Sequence, residues 1–370
     1  MSRHRQFREY CLVNDCETEA EDNDVLFPDL EKQKCNIQKC ICVIFLTLVG
    51  LGLVVFLLVF ILFPLIFMSS KTLQTDLVFT HFNLPKDPKY FQTRHFPAYK
   101  NRYVTFNYTK DNENQTLGMW QILPVNLAYD ELYGSVDFDE ALLNSNYNVL
   151  IYFHGTGEAR SYNEGKYGLL SYFFHIITFD YRSYADSSKG ELTEDKVIDD
   201  CIELYKWVKN RTHSDIYVWG HSLGAALATR TVASLENLYG VKTKGLVIES
   251  GFTTLHDELY VHPYVKIFTW LPWFNQVIVN PLYNNGFIFD TVSHLLTITS
   301  PVMVLHAEDD NEIPCSFGRK LVYVAETRNI TTIYHEFDRK YGYKHNYLYK
   351  DPFMKLYIMN FIDEASNRIL

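Results

Sequence analysis

Ser222 stands between Gly220 and Gly224 in the stretch YVWGHSLGAALATR (217–230), an arrangement that suits a nucleophile. The apolar run IYVWG before it reads as a strand, and the small residues AALAT after it read as the opening of a helix. The serine therefore falls on a sharp strand-to-helix turn, where glycines let the backbones approach and the hydroxyl is held out at the top of a sheet. A serine hydroxyl attacks poorly until a histidine takes its proton and a carboxylate orients that histidine. On such a sheet the chain order is serine, acid, histidine, so both partners must lie downstream.

The run VMVLH (302–306) is followed by AEDDNEIP, which offers Glu308, Asp309, Asp310 and Glu312 in a loop leaving the strand. Asp310 is the expected acid: it lies four residues after His306, at the strand end, and four before Pro314. Asp309 is the runner-up. Beyond the final strand-like run, DRKYGYKHNYLYK supplies His345, the only histidine left, as the base. His154 and His221 flank the motifs and are expected to brace loops, whereas His175, His306 and His335 fall within strands. Negative charge grows on the carbonyl oxygen during attack, so backbone N–H donors must await it. Leu223, next after the serine, is expected to supply one. The segment FHGTGE (153–158) is expected to supply the other, from Thr156 first and Gly157 next, with Gly155 permitting the tight turn. No cluster of metal ligands and no phosphate-cradling loop is written in the chain, so neither a metal nor a cofactor is expected.

These residues need a sheet to hold them. RYVTFNYT and LGMWQILP predict an opening hairpin; YNVLIYF, HIITFDY, IYVWG, GLVIES, VMVLH and TTIYHEF predict the strands that follow. Such nearly continuous apolar runs fit buried parallel strands. Val197, Cys201, Leu204 and Val208 recur at helical spacing between two of them, giving one apolar face as a crossover helix requires. The expected class is α/β, a mostly parallel sheet with helices on both faces. Residues 252–298 interrupt this rhythm with large apolar side chains broken by Pro272 and Pro281, and predict a cap over the carboxyl edge of the sheet.

The chain has 370 residues, is 47% hydrophobic and carries a net charge of −10. It shows no cluster of Lys and Arg of the kind phosphate binding draws on, which excludes nucleic acid as a partner. Residues 41–68 contain no charged residue, and about 20 apolar residues suffice to cross the hydrocarbon core. The expected organisation is a mostly disordered tail over 1–39, a transmembrane helix over 40–68, a collar over 69–102 and the enzyme domain over 103–370. Aromatics of the collar, including Tyr90, Phe91 and Tyr99 with Phe82 and Phe96, are expected to dock on the domain. Lys32, Lys34 and Lys39 outweigh Lys71 across the span, which keeps the amino terminus cytosolic. Sequons at Asn107, Asn114, Asn210 and Asn329 all follow the span and agree with a lumenal or extracellular domain. The seven cysteines form no disulfide framework; Cys40 and Cys42, at the membrane edge, are placed for palmitoylation or stand unmodified.

With these motifs in place, the chain resembles the α/β-hydrolase domain-containing membrane lipases, in particular subfamily twelve, described as lysophosphatidylserine and monoacylglycerol lipases. The matching strings are YFHG, TFDYR, WGHSLG, LHAEDD, FGRKL and GYKHNYLYK. The resemblance implies an α/β-hydrolase fold and a single-pass endoplasmic-reticulum enzyme with a lumenal active site, the plasma membrane being the alternative. It implies lysophosphatidylserine and monoacylglycerols as lipid esters cleaved through an acyl-enzyme, and places the triad on Ser222, Asp310 and His345. The chain departs from the family pattern at HGTGE and DYRSYADS, where Glu158, Ser183 and Ala185 stand in loops near the expected pocket mouth. A protein-acyl thioesterase and a catalytically inactive binding module on the same scaffold are the rival readings.

Overall fold

A computed structural model describes residues 28–81, 84–92, 98–109, 113–131, 134 and 136–367. It contains two compact units, Met1–Leu62 and Phe63–Leu370. In the first, an α-helix runs from Pro28 to Leu57, followed by a π turn at Leu58–Leu62. Pro28 opens the helix, a position where its missing N–H costs no hydrogen bond. Helix thus begins well ahead of the apolar run, within the segment expected to be a tail; residues 1–27 of that tail lie outside the described residues. The stretch Lys39–Ser69 is the one helix among the described residues long and apolar enough to cross a membrane. The Thr47 hydroxyl donates to the Val43 carbonyl at 2.8 Å, so this polar group is satisfied within the helix.

The second unit is built on an eight-stranded sheet of order β1-β2-β4-β3-β5-β6-β7-β8. The strands are β1 Tyr99–Tyr108, β2 Glu113–Ile122, β3 Asn148–Phe153, β4 Phe174–Phe179, β5 Ile216–His221, β6 Gly245–Glu249, β7 Val302–Ala307 and β8 Thr332–Phe337. The first two pair antiparallel as the expected hairpin, and β2 pairs antiparallel with β4. Every later pairing is parallel. Strands β4 to β7 are buried along their whole length, which is why their sequences read as unbroken apolar runs rather than alternating ones.

Side chains alternate along β5, so helices are needed on both faces. Tyr217 meets Phe361 of the carboxyl-terminal helix Met354–Ser366 at 6.0 Å between rings. On the other face Gly220 lies against Gly224 and Ala225 of the helix Leu223–Tyr239. The crossover helix Glu194–Lys209 is capped by Thr193, with Glu194 and Asp195 in its first turn, and buries Val197, Cys201, Leu204 and Val208 as their spacing predicts. Residues 252–298 form short helical pieces at Leu255–Val261, Lys266–Phe268, Asn275–Val279, Asn280–Asn284 and Thr291–Leu295.

Candidate active site

Strand β5 ends at His221 and the helix begins at Leu223, leaving Ser222 alone in the turn with φ 54° and ψ −120°. A non-glycine residue in such backbone costs on the order of 1–3 kcal/mol and persists only where its surroundings hold it. Here the Ser222 amide donates to the Glu249 carbonyl of β6 at 3.0 Å, and its carbonyl accepts from Ala225 N at 2.9 Å. The flanking glycines are required by contact distance. A Cβ on Gly220 would sit 2.3 Å from the Gly224 carbonyl oxygen, and one on Gly224 would sit 2.3 Å from that of Phe153 in β3.

The loop after strand β7 carries the expected acid, Asp310. Asp310 Oδ2 accepts from His345 Nδ1 at 2.7 Å, while Oδ1 accepts from the amides of Glu312 and Ile313, each at 2.9 Å. The runner-up, Asp309, instead accepts from Lys344 N at 3.1 Å. Burial alone would raise the Asp310 carboxyl, yet His306 and His345 hold it far below the usual carboxylate range. Burial works against a charged His345, but the hydrogen bond and charge of Asp310 outweigh it and raise the imidazole above its ordinary value. With the Nδ1 proton held by a carboxylate, Nε2 is the nitrogen left to accept one. The His345 carbonyl is fixed by His221 Nε2 and the Ser250 hydroxyl, each at 3.1 Å, and the two imidazole rings lie 4.9 Å apart. His221 thus braces the base from the turn that carries Ser222.

The loop after β3 closes on the serine from the other side. A Cβ on Gly155 would lie 3.4 Å from that of Ser222. Glu158 folds back beneath this turn and accepts from Gly155 N and Asn163 Nδ2, each at 2.9 Å. Burial opposes ionisation of its carboxyl, but His221, Lys166 and the Gly155 amide together hold it below the usual carboxylate range. Of the two amides expected here, that of Gly157 is engaged by the Phe79 carbonyl at 3.2 Å, which leaves the Thr156 amide as the candidate. Leu223 N, in the first turn of its helix, points its N–H without an intrahelical partner. After β4, Ser183 and Ala185 adopt φ of 63° and 46°, and Ser183 Oγ donates to the Gly190 carbonyl at 2.9 Å. Their backbone is the left-handed kind that glycine accepts most readily, and the hydroxyl of Ser183 helps hold it.

Several groups at the site escaped the sequence reading. Lys166 and Glu249, both 1% exposed, form an ion pair of 2.9 Å directly behind the nucleophile turn. Trp219 Nε1 donates to the same carboxylate at 2.7 Å, and Lys166 Nζ donates to Tyr152 Oη at 3.0 Å. From the cap helix, Glu258 lies 3.8 Å from His262, and burial pushes its carboxyl up to about 7 although the charge of His345 pulls the other way. Phe79 is fully buried, with Tyr184, Phe287 and Phe289 edge-on to its ring. Lys166, Glu249, Glu258 and Phe79 lie in no local motif; only an unusual charge within an otherwise apolar stretch marks Glu249 in the sequence.

The remaining expected sites have clear positions. Asn107 and Asn114 face each other across the β1–β2 hairpin and are exposed, as are Asn210 and Asn329. Phe91 is buried over Arg160 at 3.7 Å and Tyr99 packs on Trp120 at 4.4 Å, so the collar docks through both; Phe82 and Phe96 lie outside the described residues. Cys40 and Cys42 are exposed free thiols. Among the described residues no group of three or more His, Cys, Asp or Glu is placed to hold a metal ion.

A family model described as serine aminopeptidase, S33, matches residues 145–295. Over 324 residues the chain is 31% identical to a protein of Xenopus tropicalis named lysophosphatidylserine lipase ABHD12, a match covering 85% of this chain and 83% of that one. The protein of the same name from Danio rerio is 29% identical over 314 residues, covering 82% and 81%. Among solved structures, the esterase Pf2001 of Pyrococcus furiosus superposes with a TM-score of 0.53 at 19% identity, covering 77% of this chain and 97% of that one. At that identity the likeness is one of fold.

Proposed function

This chain belongs to the family of the lysophosphatidylserine lipases ABHD12, and on that premise we propose that it is a membrane-anchored serine hydrolase of lysophospholipids, lysophosphatidylserine foremost, and of monoacylglycerols. The observation that carries the assignment of roles is the 2.7 Å hydrogen bond from His345 to Asp310 beside a serine held at φ 54° on a strand-to-helix turn. Ser222 Oγ attacks the ester carbonyl carbon and its proton passes to His345 Nε2. Asp310 steadies the imidazolium that results, and the amides of Leu223 and Thr156 receive the negative oxygen. The carbon–oxygen bond of the ester then breaks as His345 returns the proton to the glycerol oxygen. A water molecule, deprotonated by the same imidazole, next releases the fatty acid and restores Ser222.

A helix long and apolar enough to span supports anchoring. It brings the site to substrates that partition into the bilayer. The excess of Lys before the span and the exposed sequons after it support a cytosolic amino terminus and a lumenal domain in the endoplasmic reticulum. The test is release of fatty acid from lysophosphatidylserine and from monoacylglycerol by the full chain in proteoliposomes. Hydrolysis of either lipid, abolished in Ser222→Ala, supports the assignment. Protein that reacts with a fluorophosphonate yet cleaves neither lipid refutes the substrate class, and activity surviving in Ser222→Ala refutes the nucleophile.

A further inference from the structure

The cap leaves an apolar surface that the proposed reaction does not use. Within residues 264–273, Tyr264 is 82% exposed, Trp270 58%, Ile267 52% and Trp273 38%. Pro263 precedes them and Pro272 separates Trp270 from Trp273, and Phe268, among them in sequence, is buried. Between Glu258 and Asp290 there is no acidic residue, and Lys266 is the one formal charge in that interval, in a chain whose net charge is −10. Tryptophan with an exposed ring and a satisfied N–H is the side chain favoured at the boundary between headgroups and acyl chains; here Trp270 Nε1 donates to the Ile267 carbonyl at 2.8 Å.

The patch continues into a second element. Phe268 stacks on Phe63 at 5.7 Å and 26°, and Phe63 opens the helix Phe63–Ser69, which ends the long apolar stretch. That helix exposes Leu65, Ile66 and Met68. It is tied into the cap again where Gln74, 1% exposed, donates to the Phe67 carbonyl at 2.8 Å and accepts from Asn285 at 2.5 Å. Cap and helix are therefore packed together at Phe63–Phe268 and at Gln74–Asn285, with exposed apolar side chains on both.

We propose that residues 263–276 of the cap are a second membrane contact, with Ile267, Trp270 and Trp273 lying in the interfacial layer of the bilayer that receives the apolar helix. The inference rests on the anchoring reading. The occupant is a lipid surface because the patch adjoins the segment assigned to the bilayer, carries a lone cation and no anion, and is rich in tryptophan. A domain held at two points keeps one orientation over the membrane, with the cap that carries Glu258 and His262 facing the lipid.

The test uses native tryptophan emission of the full chain reconstituted in phosphatidylcholine vesicles, with acyl chains either plain or brominated near the headgroup. Of five tryptophans, Trp120 and Trp219 are buried in the domain, so the expected result is a loss of about a third of the emission in brominated vesicles. That loss should largely vanish in Trp270→Phe/Trp273→Phe, whose fold is verified by unchanged turnover of a soluble short-chain ester. Equal fractional quenching in the two proteins overturns the proposal. So does a pair of tryptophans shielded from both brominated lipid and aqueous iodide, which would mean that a second copy of the chain covers them. Flotation of the vesicles after carbonate washing separates the two readings. Protein that floats with unquenched Trp270 and Trp273 leaves anchoring intact and sinks only the cap contact; protein that does not float sinks both.

Discussion

The backbone carbonyl of Phe79 accepts a hydrogen bond from the amide of Gly157 at 3.2 Å. The helix Lys71–Phe79 ends in Thr80 at φ 48°, which turns the chain and leaves that carbonyl free to face the loop after β3. The same oxygen accepts from Tyr184 Oη. The segment following the apolar helix is thus built into the turn that offers Thr156.

Phe79→Ala is therefore expected to act on catalysis as well as stability. Removing a fully buried phenyl ring costs about 3–5 kcal/mol, and the oxyanion turn loses its lateral support. Turnover of a soluble ester should fall with little change in KM, and thermal unfolding should come earlier. A variant with lowered Tm but unaltered turnover would show that the contact is structural alone.

Asp310→Asn tests the pairing with His345. Because Asp310 raises the imidazole pKa, the wild-type base is protonated to a higher pH than a free histidine, and activity should grow as pH rises through that value. The substitution removes the stabilisation of the imidazolium. The acid limb of kcat/KM should move to lower pH while kcat drops by about 10⁴, as expected when a triad loses its carboxylate. An acid limb that stays in place would assign the orientation of His345 to another group.

Gly224→Ala places a methyl group 2.3 Å from the Phe153 carbonyl oxygen and 2.5 Å from that of His154. Both obstacles are backbone, so strand β3 or the helix must move. Loss of fluorophosphonate labelling at Ser222 and a lowered Tm are expected; wild-type labelling would mean that the turn has more room than its contacts imply.

The buried pair Lys166–Glu249 should respond asymmetrically. Lys166→Met leaves the buried Glu249 carboxylate without its cation and with only the Trp219 hydrogen bond, and breaking a buried pair in this way typically costs about 3–5 kcal/mol. Lys166→Met/Glu249→Leu removes both charges and should recover much of that loss. Chemical denaturation of the three proteins measures the difference. Equal destabilisation in the single and double variants would mean that the pair contributes mainly through the shape of its surroundings.

Sequon occupancy reports on which side of the membrane the domain lies. Asn107 and Asn114 are directly opposed on the exposed hairpin, so the faster electrophoretic migration produced by glycosidase should diminish stepwise in Asn107→Gln and Asn114→Gln. Migration unaffected by glycosidase in cells would weigh against a lumenal domain.

The sequence alone was enough to place the strands and the turn at Ser222, because burial on both faces of a sheet and steric crowding at a strand-to-helix turn leave local patterns in residue type. It also distinguished His345, as the only histidine beyond the final strand. It left Asp309 and Asp310, and Thr156 and Gly157, as pairs of alternatives. Neighbours along the chain share a composition, and what separates them is the direction each group faces. Tertiary structure turned Asp310 to His345 and Asp309 to Lys344 N, and engaged Gly157 N with a carbonyl 78 residues away (157 − 79). Lys166 with Glu249, and Phe79 with the loop after β3, were decided there as well. Such contacts join elements distant in sequence; their energy comes from desolvation and geometry, which no local spacing records.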